Sequence, residues 1–252
     1  MTDFLLVHGE GQGAWSWGKV WGHLTAPEEH PPKLYARRRA NKVCTLDLPG
    51  HGSDATGDTA QVRMEECVHF ITRTVEREGL KDLVMVGHGF AANLIIQAAS
   101  QLAEPPKHLI LVAGLVPSSQ RNMLAALPRR TRTVFSLLDG LSKLLRQDLK
   151  LPKVVVESVL CNGMGPMEVV EVLGFFGSLP TRVLKTKVPL EDSPLPCPIT
   201  YVELTRDRLV PPEAQERMAQ RILGAEIVTL DSCHQVMLEN PRQLADVLLR
   251  FA

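Results

Sequence analysis

The chain has no excess of either charge: 28 Lys and Arg stand against 28 Asp and Glu in 252 residues, a formal net charge of zero. A protein that holds nucleic acid or an anionic membrane through its overall field needs such an excess. Neither partner is expected, and a small neutral molecule is the simpler one. Long apolar runs are also missing. Nowhere do the roughly 18 uninterrupted apolar residues of a membrane span occur. The opening MTDFLLVHGE has no basic stretch leading into a long apolar one, so a soluble, cytoplasmic protein is expected. The five cysteines, Cys44, Cys67, Cys161, Cys197 and Cys233, are odd in number and show neither a CxxC nor a Cys/His zinc spacing. That argues against a disulfide framework and against a metal site, and free thiols are expected. No internal repeat or low-complexity tract is found.

What is present is a rhythm of short apolar runs and longer segments of helical period, the pattern of a mostly parallel sheet with helices on both faces. The runs Phe4–His8, Val43–Leu46, Leu83–Val86, Leu109–Ala113, Ile199–Leu204 and Glu226–Leu230 read as about six buried strands. Val62–Glu78, Phe90–Leu102, Pro212–Ile222 and Pro241–Phe251 read as helices, the last two opening on the proline favoured in a first turn. A chain of this length is expected to form one domain, 1–252. Residues from about 117 to 196 break the rhythm with helical patches, Gly and Pro, and read as a helical cap inserted over the sheet. Within it Val169–Phe176 is apolar at helical spacing, as packing of cap on core or contact with substrate would require. Pro27–Asn41, Pro-rich and then basic at Arg37–Arg39, reads as a solvated loop.

Three segments fall at strand ends, where open α/β sheets place their ligand sites. Val7–Trp15 (VHGEGQGAW) is a glycine-rich turn whose backbone amides can face a ligand oxygen. Leu46–Asp54 (LDLPGHGSD) is mainly a structural turn. Val84–Ala92 (VMVGHGFAA) is an apolar strand, a glycine-flanked turn and an apolar helix, the context of a nucleophile elbow of pattern G-x-S-x-G.

Together these segments resemble the α/β-hydrolase superfamily, and the HG-x-G-x-GAW opening with a late helical cap resembles its branch of methylesterases and hydroxynitrile lyases. The resemblance extends to Val202–Met218, similar to the family's acid loop with Asp207 at the acid, and to Asp231–Pro241, similar to its histidine loop with His234 at the base. It implies an α/β-hydrolase fold and, since no cofactor is needed for the family's chemistry, a cofactor-independent protein.

Three departures follow. Gly89 stands where the family carries its nucleophilic Ser, which removes the acyl-enzyme route. Ala91 replaces the second glycine of the elbow, a minor change. Glu10 follows His8-Gly9 where the family has a small or apolar residue, so the oxyanion hole carried over from the family would consist of the Glu10 and Phe90 amides with a carboxylate attached to one of them. If Glu10 points outward it is a solvated side chain; if inward, it fills the space left by the serine and works with His234 as an acid/base pair.

His8, His51 and His88 belong to turns, and Trp15 and Trp17 read as core anchors. Asp207 could instead cap the helix that starts near Pro211. Cys233, beside His234, is a weaker nucleophile candidate. Three functions stay open. The first is an enzyme acting on a small, partly hydrophobic substrate by His234/Asp207 acid–base chemistry without a serine nucleophile, as a lyase, an isomerase or cyclase, or a hydrolase that activates water. The second is a non-catalytic small-molecule-binding protein, and the third a serine esterase whose nucleophile has been exchanged for glycine. Oligomeric state is open, a homodimer included.

Overall fold

In an extended chain successive side chains point to opposite faces, so a strand that is apolar at every position needs cover on both sides. The computed structural model, which describes residues 2–25, 40–55, 58–188, 195 and 197–252, has that arrangement. Strands β1 (Phe4–Val7), β2 (Val43–Leu46), β3 (Val84–His88) and β4 (His108–Val112) precede a two-residue antiparallel ribbon, β5 (Arg121–Asn122) with β6 (Lys187–Val188). Strands β7 (Ile199–Leu204) and β8 (Glu226–Leu230) follow. Six of these form one parallel sheet in the order β2-β1-β3-β4-β7-β8.

The longer helices are α1 (Gly18–Thr25), α2 (Met64–Glu78), α3 (Ala91–Ala99), α4 (Arg129–Leu144), α5 (Pro166–Phe175), α6 (Pro212–Ala219) and α7 (Pro241–Leu248). Alternate strand residues divide between two apolar layers. Leu5, Val7, Met85 and Leu111 meet α2 and α3 on one face, while Phe4, Leu6, Val86 and Ile110 meet α1 and α7 on the other. Each such buried side chain contributes about 1.5–3 kcal/mol relative to exposure.

The six strands and four helices expected from the sequence are present, with shifted ends. β3 continues through His88 because Gly87 and His88 pair with Leu111 and Val112. β1 stops at Val7, and His8 leaves the ladder to accept the Leu48 N–H on Nε2 at 3.0 Å. The segment between β4 and β7, expected as a helical cap, contains α4 and α5 together with the short, partly exposed β5–β6 ribbon. In the Val169–Phe176 run, Val172 is buried against Val156, Leu160 and Leu238, while Val170 and Phe175 are exposed. Residues 26–39, with Arg37–Arg39 of the expected loop, lie outside the described residues, as do 189–194 and 196 of the expected cap. No helix among the described residues is long and apolar enough to cross a membrane.

Because the sheet is parallel, its strand-end loops gather on one edge. Glu10 follows β1, Gly89 follows β3, Asp207 follows β7 and His234 follows β8.

Candidate active site

The acid and histidine loops are joined before their side chains meet. Beyond the sheet, Thr205 N–H donates to Leu230 O and Arg206 N–H to Ser232 O, both at 3.0 Å. Glu239 accepts from the Ser232 hydroxyl at 2.6 Å and the Cys233 amide at 2.7 Å, and pairs with Arg206 at 2.7 Å. On this frame His234 Nδ1 lies 2.7 Å from Asp207 Oδ2. Asp207 Oδ1 accepts the Leu209 and Val210 amides at 2.8 and 2.9 Å. One carboxylate oxygen thus fixes the acid loop and the other orients the histidine, while α6 begins at Pro212 without a side-chain cap, so Asp207 is not its cap.

Burial is the largest influence on His234 and disfavours its charged ring. The Asp207 charge and hydrogen bond, with a smaller contribution from the Glu10 charge, outweigh it and hold His234 above the ordinary imidazole value.

The β3–α3 turn keeps a backbone that a side chain would strain. Gly89 has φ +54°, its N–H donates to Val112 O at 3.0 Å and its carbonyl accepts from Leu115 at 2.9 Å. A Cβ placed there would lie 2.5 Å from Glu10 Oε2. That same oxygen accepts the Phe90 backbone N–H at 3.1 Å. Glu10 is buried, 8% exposed, and points inward. Its carboxylate thus sits on the amide that the family resemblance places in the oxyanion hole, in the volume of the absent side chain at 89.

A buried polar bridge that no motif announces joins the glycine-rich loop to the histidine loop. Gln12 Oε1 accepts the Gly9 N–H at 3.0 Å and its amide donates to Gln235 Oε1. His88 places Nδ1 3.1 Å from Gln12 Oε1 and Nε2 3.0 Å from the His234 carbonyl, with its ring centre 4.5 Å from that of His234. The only signal for Gln12 was a polar residue among glycines; Gln235, 223 positions away, had none.

The site is closed. His234 is 2% and Asp207 3% exposed. The Phe176 ring lies so close to Gly11 that a Cβ there would come within 2.6 Å of it, and Gly177 N–H donates to Gly11 O at 2.7 Å. Next to it, Trp15 packs on Phe175 with ring centres 5.4 Å apart. Trp17 is fully buried, as a core anchor should be, and Trp15 is half-buried under α5.

The remaining candidates, His8, His51 and Cys233, are buried. His8 accepts at Nε2 from Leu48 and approaches Gly9 O with Nδ1 at 2.8 Å, which fixes a neutral ring; burial and nearby His51 push it down to about 3. His51 Nδ1 lies 3.0 Å from Pro49 O within its own turn. Cys233 is fully buried, and that burial raises its thiol well above the ordinary range, which disfavours the thiolate a nucleophile needs. Among the described residues no group of His, Cys, Asp and Glu is arranged to hold a metal ion.

With this geometry in place, residues 4–247 match the sequence model of the alpha/beta hydrolase family. The chain belongs to that family. Within the alpha/beta hydrolases it is 22% identical to Methylesterase 17 of Arabidopsis thaliana over 268 residues, which span 99% of this chain and 91% of that one. It is 26% identical over 129 residues to a carbendazim-hydrolyzing esterase of a Nocardioides species, which covers 51% of this chain; the match spans about half of that relative, 48%. An extracellular alpha/beta-hydrolase from a Paenibacillus species superposes with a TM-score of 0.82 at 19% identity, over 100% of this chain and 99% of that one, a likeness of fold.

Proposed function

We propose that the chain is a single-domain α/β-hydrolase-fold enzyme, with residues 117–196 as its cap, acting on a small, partly hydrophobic substrate without a covalent nucleophile. The observation that carries this reading is the Glu10 carboxylate on the Phe90 amide. In acyl transfer that amide must meet an oxygen as it becomes negative, and a carboxylate already there opposes the charge. Gly89 offers no hydroxyl to form an acyl-enzyme.

What remains is acid–base machinery. Asp207 holds His234 through Nδ1, which fixes the ring and reserves Nε2 for proton exchange. Glu10 supplies a second carboxylate on the same side of the site, close enough to favour the protonated imidazole. Proton transfer by such a pair serves elimination, isomerisation or cyclisation, or attack by an activated water, and is worth on the order of 10²–10⁴-fold. The esterase names of the relatives support a carbonyl-bearing substrate.

An esterase with its serine exchanged for glycine fits less well, because Glu10 already takes up the serine's space. A screen of small carbonyl compounds and hydroxynitriles, with His234→Ala as control, tests the reading. Turnover abolished by the substitution supports it. Turnover indifferent to His234 sinks it, and ligand binding without any turnover leaves the small-molecule-binding protein.

A further inference from the structure

Helix α4 carries a second apolar stripe that nothing among the described residues covers. Phe135 turns inward and is buried. Val134, Leu137, Leu141, Leu144 and Leu145 recur at the three- and four-residue spacing of one helix face and stay in solvent, Leu137 at 70% and Leu144 at 80% exposure. Scattered surface leucines need no explanation, but five aligned on one helix do.

The charge around the stripe is one-sided. Residues 129–153 contain seven Lys and Arg against two Asp, in a chain whose total charge is zero. Both aspartates are engaged: Asp139 pairs with Lys143 and Lys185, and Asp148 accepts the Thr59 and Ala60 amides. Arg129, Arg130 and Arg132 occupy the first turn of α4, where cations oppose the helix dipole, so helix stability does not account for them. On the other flank Leu141 and Leu145 border a groove of about 1270 Å³ lined by five cations, Arg146, Lys150 and Arg182 among them, against Asp58, Asp139 and Asp148. Arg146, Lys150 and Arg182 make no ion pair among the described residues.

An apolar stripe with cations on both flanks is complementary to a bilayer surface, where leucines enter the acyl boundary and Lys and Arg meet phosphate headgroups. A second copy of the same face would set like charges against each other. We infer that α4 and its basic groove dock the protein on an anionic phospholipid membrane.

Co-sedimentation with phosphatidylcholine vesicles, with and without phosphatidylserine, tests this. The intact protein sediments with the anionic vesicles at low salt and stays in solution with phosphatidylcholine alone or at 1 M salt, where the screening length is about 3 Å. The triple variant Arg130→Ala, Arg146→Ala, Lys150→Ala lowers the vesicle partition on the order of 10²-fold, at about fivefold per cation. Leu137→Ser, Leu141→Ser, Leu144→Ser lowers it at least about tenfold. All six side chains are exposed, so circular dichroism and thermal unfolding stay as in the parent. Absence of sedimentation with anionic vesicles, or equal sedimentation with phosphatidylcholine, overturns the inference. So does a dimer in analytical ultracentrifugation that the serine variant splits while vesicle binding is missing.

Discussion

The Glu10 carboxylate and the Phe90 backbone N–H are 3.1 Å apart, and the bond crosses the volume that a side chain at position 89 would occupy. Two departures from the family pattern, 79 positions apart in sequence, are therefore one feature in space. Restoring the hydroxyl alone is not expected to restore a hydrolase, because a serine Cβ at 89 would lie 2.5 Å from the Glu10 oxygen that already takes up the Phe90 amide. Gly89→Ser is expected to hydrolyse p-nitrophenyl acetate no faster than the parent. Adding Glu10→Ala frees the Phe90 amide and raises turnover by about 10²-fold over the single variant, the worth of one oxyanion donor. Equal rates for the two variants would show that Glu10 does not block the site.

If His234 is the base, its raised pKa sets the pH profile. Protonation silences a base, so kcat/KM climbs as pH rises through a value above the ordinary 6.5. Asp207→Asn removes the main influence that favours the charged ring, so the profile moves to lower pH while kcat falls on the order of 10²-fold or more. A profile that stays in place in that variant would assign the titration to another group.

The strands were legible in the sequence because runs such as Phe4–Val7 and Leu109–Val112 are apolar on both faces, and the acid and histidine loops because they resemble known motifs. The direction of Glu10 was not, since it depends on the path of a glycine-rich loop that pattern alone leaves open. The Gln12–Gln235 bridge joins loops whose separation in sequence carries no periodic signal. Two-residue strands such as Arg121–Asn122 are too short to show a period. Helical spacing announced α5 but not which side would be covered: Val172 is buried while Val170 beside it is not.

Acid should destabilise the fold through its buried neutral histidines. The folded chain resists protonating His8 until about pH 3, whereas the unfolded chain takes up that proton near 6.5. Stability therefore falls as pH drops below 6.5, by about 1.4 kcal/mol per unit from this group. His51 and His88 are lowered too and act in the same direction. His234, raised, acts oppositely: its contribution is present below 6.5 and lost as pH rises through its folded value. Urea unfolding at pH 7 and pH 5 should show a net loss, with His8 alone accounting for about 2 kcal/mol. In His8→Asn the loss should shrink by that amount. An unchanged midpoint in the parent would contradict a neutral His8.

If the contact between Phe176 and the Gly11 loop covers the way to His234, loosening that contact should make the imidazole more accessible. The ring seals the loop, and the Gly177 amide bonds its carbonyl. Phe176→Ala removes the ring and leaves that backbone bond in place, so the fold should survive with a loosened cover. Diethylpyrocarbonate reports this without knowledge of the substrate, since it transfers an ethoxycarbonyl group to accessible neutral imidazoles. Peptide mass spectrometry should find His234 modified slowly in the parent, where it is 2% exposed, and at least about tenfold faster in Phe176→Ala. Exposed His69 should react equally in both proteins and serves as the internal control. An unchanged rate at His234 would mean that the entrance lies elsewhere and that Phe176 is only part of the packing of α5.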